Sequence, residues 1–207
     1  LFPKKKGSKI MKLDDTKISE AIMNTYNAKL QDILHSDAVI VGGGPSGLVA
    51  ANILASQGVK TVLLDRRLSV GGGMWAGGMM MNTIIIQESA VHILDEYGIH
   101  HEKYDDNYYT VDSVECVSGL TFRAAQAGAK IINLISMEDL LVRNDKIGGL
   151  VINWSTTEMT HLMVDPLMIE SKCVLDATGH EARVVNKFVE RMGPVLSELI
   201  DYTCFVP

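Results

Sequence analysis

The sequence predicts an α/β protein: a parallel sheet with a small antiparallel insert. Three observations predict it. First, the apolar run Ala38–Val41 leads at once into Gly42-Gly43-Gly44-Pro45-Ser46-Gly47. Small apolar residues with helical character follow over Leu48–Gln57, Gly58 stops them, and a second apolar run, Val59–Leu64, ends on Asp65. Second, a later run, Ile169–Asp176, ends on Ala177-Thr178-Gly179 in the same way. Third, Glu138–Arg143 and Ile147–Trp154 flank Asn144-Asp145, a turn pair, and read as an antiparallel insert. Short continuous apolar runs suit strands buried on both faces of a parallel sheet. The class is therefore Rossmann-like, of the FAD/NAD dinucleotide-binding type.

The glycine turn fits G-x-G-x-x-G through Gly42, Gly44 and Gly47. Gly42 allows the tight turn. Gly44 lets the backbone approach a pyrophosphate, which sits on the helix N-terminus where free N–H groups and the dipole favour an anion. Gly47 lets helix and strand pack closely. Asp65 lies about 20 residues beyond the turn, where a carboxylate can accept the ribose hydroxyls of an adenosine. That argues for NAD or FAD over NADP, an argument weakened by the adjacent Arg66 and Arg67.

The remaining elements follow in order. Residues 1–12 read as a polar N-terminal tail, its Lys4-Lys5-Lys6 a solvated cluster, and 13–207 as a single domain. Leu13–Leu34 reads as an amphipathic helix with Ile18, Ile22, Tyr26 and Leu30 on one face, capped by Asp14, Asp15 or Thr16. It has the sheet or another subunit to pack on. Gly71–Met81 holds five glycines and is a loop whose backbone comes close to something; its methionines read as core or interface filler. Glu88–Tyr97 is a helix stopped by Gly98. His100-His101-Glu102 reads as a polar turn more than a metal cluster, and Tyr104–Tyr109 as a loop or strand edge. Ser113–Ala127 is a helix, Lys130–Leu134 a strand and Glu181–Glu190 a helix.

The bulk composition narrows the function. Of 207 residues, 47% are hydrophobic and 21% charged, enough for one good core. The net charge of −6 argues against a nucleic-acid partner. No apolar run reaches a membrane span of about 20 residues. Three scattered cysteines, Cys116, Cys173 and Cys204, fit a reducing cytoplasm better than a disulfide framework.

Three further segments narrow the reading: Gly71–Gly78 as GGGMWAGG, Asn153-Trp154 followed by Val164-Asp165-Pro166-Leu167-Met168-Ile169-Glu170, and Ala177-Thr178-Gly179-His180. Together and in this order they resemble the thiamine-thiazole synthase family. The resemblance runs from about Leu13 to about Val189. It implies an enzyme of thiamine biosynthesis that forms an adenylated thiazole carboxylate from NAD, glycine and a sulfur source, with ferrous iron. NAD is consumed as a substrate, and the resemblance implies a homo-oligomer, an octamer.

By the same resemblance, Ser46, Asp65, Arg66 and Gly73 would contact NAD, and Met137 would lie against the nucleotide through its backbone. Asp165 and His180 match the iron ligands, contributed across a subunit boundary. An oxygen and an imidazole suit ferrous iron. Read from the residues alone, Asp165 before Pro166 is also turn chemistry, and His180 also a helix cap.

The chain departs from the family at two places. Sulfur-donating members carry cysteine at the position of Met163 and turn over once; a thioether is not ionisable and cannot donate sulfide in that way. Free sulfide is then the expected sulfur source. Cys173, inside a strand, is not expected to substitute. Arg191-Met192-Gly193-Pro194 resembles a glycine-holding motif but follows the last helix at once, so the family's final segment is expected to be lacking or rearranged. Two alternatives stay open: an FAD-dependent oxidoreductase, and a truncated homologue that binds NAD without chemistry.

Overall fold

The computed structural model describes residues 13–143 and 146–192. The chain divides into two compact units at the Leu34–His35 step. The first holds helix α1 (Asp15–Ile33), whose N-cap is Asp14: its carboxylate accepts the N–H groups of Thr16 and Lys17 at 3.0 and 3.3 Å. Ile18, Ile22 and Tyr26 stay exposed on it.

The second unit is built on a six-stranded sheet. Strand β1 (His35–Val41) leads through the glycine turn into α2 (Pro45–Ser56) and back to β2 (Thr61–Asp65). The chain then forms a separate sheet from β3 (Thr83–Ile86), β4 (Glu102–Asp105) and β5 (Tyr108–Asp112), with α3 (Glu88–Tyr97) between β3 and β4. Helix α4 (Ser113–Gln126) precedes β6 (Lys130–Asn133), β7 (Ile135–Arg143) and β8 (Lys146–Trp154). Helix α5 (Ser155–Thr160), β9 (Leu167–Asp176) and α6 (Arg183–Met192) complete it.

The main sheet runs β6-β2-β1-β9-β8-β7. β6, β2, β1 and β9 are parallel, and β7 and β8 form the antiparallel insert. β9 joins the two parts: Leu167–Glu170 pairs antiparallel with β8, and Glu170–Asp176 pairs parallel with β1. The central strands are apolar because both faces are covered. Val39, Ile40, Val62 and Leu63 are all fully buried. Leu48 and Ala51 of α2, Leu94 of α3 and Leu120 of α4 close the core over Ile40 and Leu63. Each large apolar side chain so buried contributes about 1.5–3 kcal/mol.

Several boundaries differ from those read in the sequence. β1 starts at His35, not Ala38, because His35 already pairs with Glu170. α2 starts at Pro45, so Ser46 and Gly47 belong to its first turn, with proline at the favoured first position. β7 starts at Ile135 and bulges between Met137 and Asp139. Of the two readings of Tyr104–Tyr109, loop or strand edge, the structure shows the second: the β4–β5 hairpin runs through it with β4 at the sheet edge, and Thr83–Ile86 adds a third strand. The methionines of the glycine-rich loop are not core filler, except Met74, which packs against the core. Met79, Met80 and Met81 project outward, each more than two-thirds exposed. The Asn144-Asp145 turn, residues 1–12 and the stretch from Gly193 lie outside the described residues.

Candidate functional site: a cleft at the ends of β1, β2 and β9

The C-terminal ends of three of the parallel strands, β1, β2 and β9, open on a cleft of about 440 Å³, within the usual range of small-molecule sites. Its floor is the glycine turn. Gly42 sits at φ +107, and a Cβ there would stand 2.3 Å from the carbonyl oxygen of Ala177. A Cβ on Gly47 would stand 2.0 Å from the carbonyl oxygen of Gly42. Gly44 differs, because a Cβ there would meet nothing within 4 Å. Its bareness serves no internal contact and leaves room on the cleft side. Gly44 caps α2 without a side-chain bond, and the first helical bond is Leu48 N–H to Gly44 carbonyl at 2.9 Å. The helix start therefore presents free N–H groups to the cleft, an arrangement that favours an anion.

Asp65 stands at the end of β2, 7% exposed and lining the cleft. One carboxylate oxygen accepts the Gly43 N–H at 2.8 Å and the other the Arg67 N–H at 2.7 Å. The carboxylate thus braces the glycine turn, and each oxygen keeps a second acceptor site for a diol. Ser46, Arg66, Gly73 and Met137 all line the same cleft, whereas Gly47 sits behind it in the helix–strand contact.

Two ion pairs involve residues of the lining. Arg66 donates to Glu181 at 2.8 Å and Arg183 to Glu158 at 2.9 Å. The hydroxyl of Ser136 and then the Arg183 guanidinium hold the Glu158 carboxyl below its usual range, against an opposing effect of burial.

Asp176, not singled out in the sequence, organises the far wall. One of its oxygens accepts the Thr178 N–H and hydroxyl at 2.9 and 2.6 Å; the other accepts the N–H groups of Val184 and Val185 at 2.9 and 3.0 Å. It caps α6 from the end of β9, which is why the helix starts at Arg183 and not at Glu181. The turn Gly179–Glu181 between them brings His180 into the cleft wall. An aspartate ending a strand just before Ala-Thr-Gly was the available signal.

The expected metal ligands are not brought together within one chain. His180 lies beyond the C-terminal end of β9, and Asp165 lies ahead of its N-terminal end, outside the cleft lining. Ten strand residues separate them by about 30 Å. Among the described residues no group of three or more His, Cys, Asp or Glu could hold a metal ion. By donor type the pair suits ferrous iron, and both side chains are exposed, as completion by a second chain requires. Met163 is on the Asp165 side and fully exposed.

Other candidates resolve into ordinary contacts. His100 pairs with Glu115 at 2.7 Å, while His101 turns to Asp95 and the Tyr109 ring. Burial pushes the Cys116 thiol up to about 11, which makes it inert. Cys173 lies in β9 as expected, but its side chain is exposed. Among the described residues no helix is long and apolar enough to cross a membrane.

Residues 19–201 match the profile of the Thi4 family. The chain is 51% identical over 187 residues to the thiamine thiazole synthase of Methanothermobacter thermautotrophicus, covering 90% of this chain and 72% of that protein. It is 45% identical to the crystal structure of Thermovibrio ammonificans THI4, with a TM-score of 0.85 over 87% of this chain and 72% of that one. The L-proline dehydrogenase from P. horikoshii, 18% identical with a TM-score of 0.58, shares the fold alone.

Proposed function

This chain belongs to the Thi4 family, and we propose that it is a thiamine thiazole synthase. In this reading it forms an adenylated thiazole carboxylate from NAD, glycine and free sulfide, with ferrous iron. The observation that carries it is the cleft itself. A glycine turn, a helix start and Asp65 converge there with Ser46, Arg66, Gly73, Met137 and His180, in a chain half identical to proteins of that name.

The residues divide the work. The start of α2 holds the pyrophosphate through N–H groups and the helix dipole. Asp65 accepts the adenosine ribose hydroxyls with its remaining lone pairs. Met137, 6% exposed, closes the apolar side against the nucleotide and excludes water. Asp165 of one copy and His180 of another would hold the iron, which makes the active protein a homo-oligomer, an octamer by resemblance. Iron, when bound, supplies Lewis-acid polarisation of a substrate oxygen. Met163 has no proton to lose, so the sulfur comes from solution and each chain turns over repeatedly.

The test is an anaerobic incubation with NAD, glycine, ferrous iron and sulfide, followed by mass spectrometry of released nucleotides. Adenylated thiazole in molar excess over protein is the expected result. Retained NAD or an adenylated intermediate without thiazole would reduce the chain to a nucleotide-binding homologue. A tightly bound flavin would select an oxidoreductase instead.

A further inference from the structure

The order β2-β1-β9 puts β1 and its glycine turn between the two partners of one ion pair. Arg66 follows the end of β2, and Glu181 follows the end of β9. The 2.8 Å contact between them therefore passes over the end of β1, where α2 begins. That is the seat a pyrophosphate would take. A dinucleotide lying there meets the Arg66–Glu181 pair directly.

The pair is built to yield. Its side chains are 38% and 52% exposed, so water screens the attraction and its net strength is small. A phosphate offers Arg66 a charge-assisted and bidentate contact, the stronger alternative. Glu181 can let go without moving the backbone. Its carbonyl is held by the Asn186 amide at 2.8 Å, and the flanking Thr178 and Val184 are held by Asp176.

We propose that Glu181 is a positioning residue that holds Arg66 across the phosphate seat and surrenders it to an anionic ligand. It thereby sets the cleft's affinity for phosphate-bearing nucleotides. The proposal rests on the nucleotide reading of the cleft. A phosphate that takes both edges of the Arg66 guanidinium competes with Glu181 for Nη2, the one nitrogen that pairs with Glu181, so removing the carboxylate's charge strengthens binding instead of weakening it.

Isothermal titration of the full chain with NAD, ADP and adenosine tests this, using wild type, Glu181→Gln, Arg66→Met and the double variant. Glu181→Gln should tighten NAD and ADP by about two- to fivefold, the range of a screened surface pair, and leave adenosine unchanged. Arg66→Met should weaken NAD and ADP, and Glu181→Gln should add nothing on that background. A simple structural loss would move adenosine with the others. If Glu181→Gln leaves NAD unchanged or weakens it while wild type binds normally, the proposal is overturned. If wild type binds none of the three probes, the nucleotide reading itself fails, and the proposal with it.

Discussion

Asp165 and His180 stand at opposite ends of one strand, β9, about 30 Å apart along it. No side-chain rearrangement spans that distance, so a site that uses both must draw them from different chains. Complementation follows. Asp165→Ala and His180→Ala should each abolish thiazole formation. Unfolded together and reassembled as a mixture, they should regain activity in about a quarter of sites, those where a native aspartate meets a native histidine. A mixture as inactive as its components would mean that the two residues do not share a site.

The glycine turn separates fold from function. Gly42→Ala and Gly47→Ala place a methyl within 2.3 and 2.0 Å of a carbonyl oxygen, and each should cost about 1–3 kcal/mol or more in urea unfolding. Gly44→Ala meets nothing and should leave the unfolding midpoint within error. It should still weaken NAD binding at least tenfold, because its methyl occupies the space where the backbone must approach the pyrophosphate. Equal loss of stability in all three variants would contradict this division.

The same contrast explains what the sequence revealed and what it hid. The turn, its flanking strands and Asp65 were legible because local chemistry and tertiary role coincide there: Gly47 clears the Gly42 carbonyl and Asp65 accepts the Gly43 N–H, both within one βαβ unit. The β3-β5-β4 sheet was hidden because Thr83–Ile86 is only four residues, three of them consecutive isoleucines that do not record its alternating burial, and β4 is fully exposed. α5 was hidden by the low helix propensity of Ser155–Thr160. Asp176 was legible as a strand end only. Its four hydrogen bonds, to Thr178, Val184 and Val185, depend on where α6 is placed, and no local pattern records that.

Acid should loosen the contacts of Glu158 with Ser136 and Arg183 in a predictable direction. The Ser136 hydroxyl and the Arg183 guanidinium hold the Glu158 carboxyl below its ordinary range, so the folded chain binds that proton more weakly than the unfolded chain. Stability from the pair is therefore fully present above the ordinary glutamate range and is lost as pH falls through the depressed value. In urea unfolding followed against pH, Glu158→Gln should be less stable than wild type at neutral pH. The two curves should converge in acid. A gap that stays constant with pH would place the effect in packing and not in ionisation.

Met163 gives the sharpest test of the sulfur source. It is fully exposed beside Asp165, so a smaller side chain there disturbs no packing, and Met163→Cys should unfold like wild type. The substitution supplies a thiol that can ionise where the thioether cannot. Wild type without added sulfide should give no thiazole. Met163→Cys should give up to one equivalent per chain, with the protein losing the mass of hydrogen sulfide as the cysteine is converted to dehydroalanine. With sulfide restored, wild type should pass one equivalent and continue. Product from wild type in sulfide-free solution would mean that another group donates the sulfur, and the exposed Cys173 on β9 would be the first to replace by alanine.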